Sequence, residues 1–446
     1  MDNLPVLKYA LAHLAFSLIF SLHSMEGTLK DLSFEANLES NHGKLKYSMK
    51  SNAVINIIKT KYGDEYECVE LYKQPALAHN LLKNHKIQMR PSFFDPLKEA
   101  ATIAIGNGSS AETSIDVGFT DCPLGTVPIR RRNLTESLRA KAIFRQQFQS
   151  FPTSNSPLIF NQGLFGPETN PFQFGEGRER LKNPLNKCGN LNLYARLNLS
   201  TFAGISTIKE GTIYHGAGGY VSINNPTVSN GQMSCSAISI EGGGDNDFSV
   251  IRVGWMVNLL YHGDDTRLYT AWGQIKNGKM HGCLNTECAG FVQTDPTIGL
   301  DMILKPYSVV RGPQYYVKLA VNRDKSTGNW WLLYGENDKP VGYWPSKLFL
   351  NLKNGAATLR WGGLVNSATP QMPIMGNGDN GELHSSHFRQ IAIKYEAETT
   401  LNGTIDVPIG VIENKCYKAG DNSYKTEFWG YSFYFGGNGG DVSQCT

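Results

Sequence analysis

A chain of 446 residues with 42 Lys and Arg against 39 Asp and Glu carries a net charge of only +3. With no Lys/Arg stripe interleaved with aromatics, that balance excludes a nucleic-acid surface, and its single basic run, Arg130-Arg131-Arg132, reads as a solvated or protease-accessible stretch. The length allows two or three domains and a substantial core.

In chain order, residues 9–22 form an apolar run after Lys8. A bilayer span needs about 20 apolar residues, so the run suits the centre of a secretory leader over 1–24, cleaved near Ser24. A buried N-terminal helix is the alternative. No later segment is apolar enough to span a membrane. Eight cysteines, an even number, and sequons at Asn107, Asn133, Asn198 and Asn402 agree with a secreted, extracellular protein.

Residues 25–56 have no sustained period. Glu65–Tyr72 alternates polar and apolar residues, as a half-buried strand does, and 75–85 reads as a short helix or turn carrying Leu77, Leu81 and Leu82. Residues 106–120 read as a loop, whereas 134–148 combine good helix formers with spaced apolar positions and predict a helix. Residues 150–187, rich in Ser, Asn, Pro and Gly, are the linker candidate.

All seven tryptophans, 255, 272, 330, 331, 344, 361 and 429, lie after that linker. They sit in short runs of Val, Ile, Tyr and Phe cut by Gly, Asn, Asp and Pro every 8–15 residues, with no long helical period. The predicted fold of 186–446 is all-β, a β-sandwich, and the first 180 residues read as something else: leader, prosegment or regulatory module. The short spacing of Cys283 and Cys288 suits a tight disulfide across a loop, and Cys416 with Cys445 could staple the chain end to the body. The pairing of Cys68, Cys122, Cys188 and Cys235 stays open. A metal at Cys283/Cys288 lacks a second ligand pair, and His384-Ser-Ser-His387 lacks a third ligand, so no metal and no cofactor is expected.

Longer motifs carry a resemblance. Lys59-Thr-Lys-Tyr-Gly-Asp-Glu-Tyr-Glu-Cys-Val69, Lys73-Gln-Pro-Ala76, Leu81-Leu-Lys-Asn-His-Lys-Ile-Gln-Met89 and Cys122-Pro-Leu-Gly-Thr-Val-Pro-Ile-Arg-Arg131 resemble the activation prosegment of plant neprosin-type proteins. Gly254-Trp255, Gly282-Cys-Leu-Asn285, Cys288-Ala-Gly-Phe-Val-Gln293, Gly328-Asn-Trp-Trp331, Val341-Gly-Tyr-Trp-Pro345, Trp361-Gly-Gly363 and Met375-Gly-Asn-Gly378 follow the order of the neprosin peptidase domain. The resemblance implies a secreted glutamic endopeptidase, active in acid and cleaving after proline. It implies a zymogen, in the apoplast or similar, whose small α+β prosegment over 25–180 covers the cleft of an antiparallel β-sandwich like lectin-like and fungal glutamic-peptidase folds. The partners it implies are a proline-containing peptide or protein and the chain's own prosegment. The motif anchors Trp255, Trp361, Gly363, Tyr343 and Trp344 are candidates to line the cleft.

Catalysis in such a protein rests on two facing glutamates. Close together they cannot both ionise cheaply, so the charged one draws a proton from water and the protonated one serves the carbonyl or the leaving amine. This chain departs there. The family's Ile-Glu-Ala-Gly-Trp strand reads Ile251-Arg252-Val253-Gly254-Trp255, and its Trp-Gly-Gly-Glu-Val strand reads Trp361-Gly362-Gly363-Leu364-Val365. Ala237-Ile238-Ser239 stands in place of a Gln-Ile-Trp element. Arg252 stays protonated and Leu364 has no proton to give, so catalytic residues are expected to be none. Glu241, Glu287, Glu336 and Glu382 sit in Gly- or Asn-rich stretches that read as exposed turns. The expectation is a protein with impaired peptidase chemistry. The alternatives are an active acid endopeptidase using other acids, or a peptide- or cell-wall-binding sandwich.

Overall fold

The computed structural model describes residues 53–94, 116–117, 120–149, 199–208, 210–244, 247–277, 279–380, 385–395, 400–402, 409–420 and 422–445. The leader, the linker over 150–187, Cys188, Glu382, His384, Asn107 and Asn198 lie outside them. By contacts the chain divides into one unit of Met1–Ser48 with Arg132–Leu134, and a second of Met49–Arg131 with Thr135–Thr446. Asn133, in the first unit, is exposed. The architecture that follows belongs to the second unit.

Two antiparallel sheets form its body, as the alternation of the sequence predicts. The first has seven strands in the spatial order Lys279–Leu284, Gly263–Lys276, Asp247–Asn258, Gln232–Gly244, Thr358–Ser367, Leu199–Thr207 and Ile409–Ile412. The second runs Val292–Gln293, Lys339–Trp344, Trp330–Tyr334, Tyr316–Arg323, Gly216–Ser222, Ser386–Lys394, Tyr431–Gly436 and Lys418–Ala419. Two short strands add to it, Thr400–Asn402 beside Ser386–Lys394 and Ser423–Tyr424 beside Tyr431–Gly436. Among the described residues no helix is long and apolar enough to cross a membrane.

The main core lies between the sheets, and period-two alternation decides who enters it. Ile251, Val253, Trp255 and Val257 of one strand, Ile238 and Ile240 of the next, and Leu359, Trp361 and Val365 of the third all point inward. Six of the seven tryptophans are fully buried. Their indoles also tie the layers together: Trp255 Nε1 donates to Ser222 O at 2.9 Å and Trp361 Nε1 to Gly218 O at 3.1 Å.

Segment 53–94 with 120–131 packs on this body. Strands Val54–Lys59, Glu65–Glu70 and Thr126–Arg130 form a three-stranded sheet, closed by the Cys68–Cys122 disulfide. The turn prediction for 75–85 appears as 3-10 helices Pro75–Ala78 and Asn80–Leu82. Part of the expected 106–120 loop, Asp116–Val117, is instead a strand paired with Leu304–Lys305.

Buried charges bind the hairpin to the body. Asp64 accepts from Arg267 at 2.7 Å and from Arg130 at 2.9 Å, while Arg130 also pairs with Asp301. Tyr66 donates to Leu300 O at 3.1 Å. Shared hydrogen bonds are what make such buried ions tolerable. At the edge of the second sheet, Gln74 Nε2 donates to Gln293 O and Gln293 N donates to Gln74 Oε1. One side-chain amide thus satisfies one peptide of an edge strand.

Farther along, Asp324 is fully buried and holds residues 88–92. It accepts from Gln88 Nε2 at 2.9 Å and from Ser92 through both its backbone N–H and its Oγ.

Candidate functional site

The outward face of the first sheet is built in rows across the strands. Ser239 lies opposite Arg252 on one side and Arg360 on the other, and Arg360 lies opposite Ser206. In the next row Ala237 lies opposite Gly254 and Gly362, with Gly204 beyond and Tyr269 at the other end. In the third, Cys235 lies opposite Met256 and Leu364, with Phe202 beyond. A lane of residues with no side chain past Cβ therefore separates a polar bank holding Arg252 and Arg360 from an apolar bank holding Leu364. Glycine here admits close packing within the sheet: a Cβ on Gly362 would collide with Ala203 O and come within 2.8 Å of the Phe202 ring, which lies over the lane.

Arg252 and Leu364 thus stand on one face, on opposite banks of one lane, both buried. They line a cavity of about 10 Å³, room for one water, together with Ser239, Glu241 and Arg360. Glu241 is where sequence reasoning failed. It is no exposed turn carboxylate but a strand residue with 4% exposure, pairing through Oε2 with Arg360 Nε at 3.2 Å. Its Oε1 has no hydrogen-bond partner. Glu287 is also engaged, accepting from Tyr261 at 2.9 Å and from Ser137 at 3.3 Å, and Glu336 accepts from Tyr220.

The five expected cleft-lining residues are elsewhere. Trp255, Trp361 and Trp344 are buried between the sheets, and the Cα of Gly363 faces Met375 and Phe435 there. The reason is parity: Trp255 is three residues from Arg252, and Trp361 three from Leu364, so each points to the opposite face. Tyr343 belongs to the second sheet, where its hydroxyl meets His85 Nε2 at 2.7 Å and accepts from Gln88 N at 3.0 Å.

Helix Leu134–Gln149, predicted from its apolar spacing, packs on this outward face. Its positions 140, 143, 144 and 147 recur every three or four residues and so share one face. Ala140, Ile143 and Phe144 join a cluster with Phe202, Cys235, Ala237, Met256, Tyr269 and Leu364. Gln147 lies beside the sulfurs of Met233 and Met256 and accepts from the Tyr269 hydroxyl. Burial pushes the Tyr269 phenol well above its usual range, against the opposing charge of Arg252.

Cys235 has no disulfide partner among the described residues and is fully buried in this floor. Burial pushes its thiol up to about 12, although Arg252 and a backbone contact at Leu364 pull the other way. It is an inert packing residue at ordinary pH. Cys283 is bonded to Cys288 and Cys416 to Cys445. The fourth sequon asparagine, Asn402, ends a short strand. His387 is buried between the Ser385 carbonyl and the Tyr316 hydroxyl, a structural placement.

Residues 230–438 match the family model described as Neprosin, and residues 57–160 match the one described as Neprosin activation peptide. Among solved structures, the chain is similar to scytalido-glutamic peptidase with a transition-state-analogue inhibitor. The identity is 10%, covering 54% of this chain and 98% of that one, with a TM-score of 0.30. It is similar also to SCP-B, a member of the eqolisin family of peptidases in complex with the tripeptide Ala-Ile-His. There the identity is 10%, the same shares are covered, and the TM-score is 0.27.

Proposed function

The chain belongs to the neprosin family, and we propose that this member is secreted, is impaired as a peptidase, and binds a proline-containing peptide in its groove. One observation carries the reading. The two positions flanking the small-residue lane, where the family's glutamates belong, hold Arg252 and Leu364. A glutamic peptidase needs one carboxylate to take a proton from water and one carboxylic acid to give a proton. Arginine gives up no proton at biological pH, and leucine has none to give.

What remains suits binding. With the helix and the Phe202 ring displaced the lane would admit an extended backbone, and the guanidinium groups of Arg252 and Arg360 on its polar bank favour an acidic side chain or a terminal carboxylate. The prosegment helix fills the same face, so ligand and helix compete. The prosegment, assigned to 25–180, should separate from the 186–446 sandwich after a cut within 150–187. A first proteolytic cut inside 255–350 would overturn that division.

The deciding experiment is an acid assay of the purified, acid-treated chain on a proline-containing peptide. Retention of the peptide without cleavage is expected. Rapid cleavage that survives substitution at both 252 and 364 overturns the reading. A second reading then takes its place, favoured by Glu241 Oε1, which lines the water-sized cavity without a partner. Glu241 would be the base and Arg252 the stabiliser of the oxyanion, and Glu241→Gln would abolish the activity.

A further inference from the structure

A second, larger cavity lies away from the groove, where the 3-10 turn Asn80–Leu82 meets the ends of strands Gly263–Lys276 and Lys279–Leu284 and the turn Ser346–Leu348. Its volume is about 570 Å³, within the range of small-molecule sites. Its wall is of two kinds. Trp272 and Phe349 meet edge to face at 5.9 Å and give it an apolar floor. Lys276, His281, Lys347 and His79 line its rim, and among the described residues no aspartate or glutamate lines it.

We propose that this cavity is a binding site for a small aromatic or alicyclic carboxylate, its ring on Trp272 and its anion among His79, Lys276, His281 and Lys347. Two further observations support the assignment. Gln274, at the wall, adds an amide. The local field is positive: burial lowers the pKa of His79 and neighbouring His281 lowers it further, and Lys347 acts in the same direction on His85. An anion relieves that repulsion.

Two consequences follow. Binding draws a proton onto His79, so affinity rises as pH falls through the histidine range. The cavity is walled on one side by the prosegment turn and on the other by the body, so an occupant holds the two together and slows their separation.

The test is titration of the full chain with 1-naphthoate and, as its neutral counterpart, 1-naphthamide, read by calorimetry and tryptophan fluorescence. Naphthoate is expected to bind saturably and at least about tenfold more tightly than the amide. Its affinity should increase severalfold between about pH 7.5 and pH 5. His281→Gln and Lys347→Gln alter exposed side chains and leave the fold intact. Together they should weaken naphthoate at least about tenfold, flatten its pH dependence and leave the amide unchanged. Absence of saturable binding, equal affinity for acid and amide, or indifference to the double variant each overturns the proposal.

Discussion

The hydroxyl of Tyr269 donates to Gln147 Oε1 across 2.6 Å. Tyr269 closes one end of the glycine-lined lane and Gln147 lies in the last turn of the covering helix, so this bond fastens lid to floor. Both groups are buried. Losing either partner would strip a buried polar group of this bond, at about 1–3 kcal/mol, although Tyr269 would keep its contact with Arg252.

The covering helix should be loosened most cheaply at Phe144, which is buried against Gly282. Truncating a buried phenylalanine costs about 3–5 kcal/mol. In Phe144→Ala that loss falls on the docking of the helix, because the sandwich core lies on the other side of the sheet. Hydrogen exchange should quicken in Gln232–Gly244 and in the helix while the second sheet keeps its protection. Unchanged exchange in the helix would rule out its role as a cover.

Restoring the acid pair by Arg252→Glu and Leu364→Glu should create acid-dependent cleavage after proline, once the helix is displaced. Each general acid or base contributes about 10²–10⁴-fold, and the two roles are distinct, so either change alone should give far less. Circular dichroism would establish that a carboxyl beside Phe202 and Cys235 is tolerated. A folded double variant with no activity on an emptied groove would mean that these are not the reacting positions.

The Glu241–Arg360 pair offers a stability test of the same bank. Glu241→Gln leaves the Arg360 charge without its carboxylate and should destabilise the fold by about 3–5 kcal/mol. Adding Arg360→Met should recover most of the loss, since the uncompensated charge goes with it. Equal denaturation midpoints for the first variant and the parent would show that the pair is solvated and energetically neutral.

Asp324 should make prosegment docking sensitive to strong acid. Burial alone would raise its pKa, but hydrogen bonds from Ser92, Gln88 and Thr327 outweigh that and hold it below the ordinary carboxylate value. The docked form therefore binds the proton less readily than a free aspartate does. Its contribution is complete above about pH 4 and is lost as pH falls through the docked value. Exchange of residues 85–92 should rise over that acid window in the parent. In Asp324→Asn it should be fast at every pH, and a pH dependence that persists in this variant would exclude Asp324 as its source.

Much of this was legible in the chain. The sandwich follows from short aromatic runs cut by turn residues, and helix 134–149 from its spaced apolar positions. The departure at 252 and 364 was fixed by the Gly254-Trp255 and Trp361-Gly-Gly363 anchors. Those anchors also misled, because a motif aligns residues without saying which face they take. Strand alternation puts Trp255 opposite in sense to Arg252, so the sequence already held the correction. Glu241 was hidden by Gly242-Gly-Gly244, which looks like a turn yet continues the ladder to Phe248 and Asp247. Its period with Ser239 was the available signal. The bonds between Gln74 and Gln293 join residues far apart in the chain and left no local trace.

Those two bonds bear on how a form lacking residues 25–180 would behave. An unprotected strand edge is a template for pairing with another chain. While residue 74 is in place, its amide occupies the peptide of Gln293 and blocks that use. A shortened form without residues 25–180 carries this edge into solution uncapped. It should self-associate more readily than the full chain at equal concentration, which light scattering of the two forms would read.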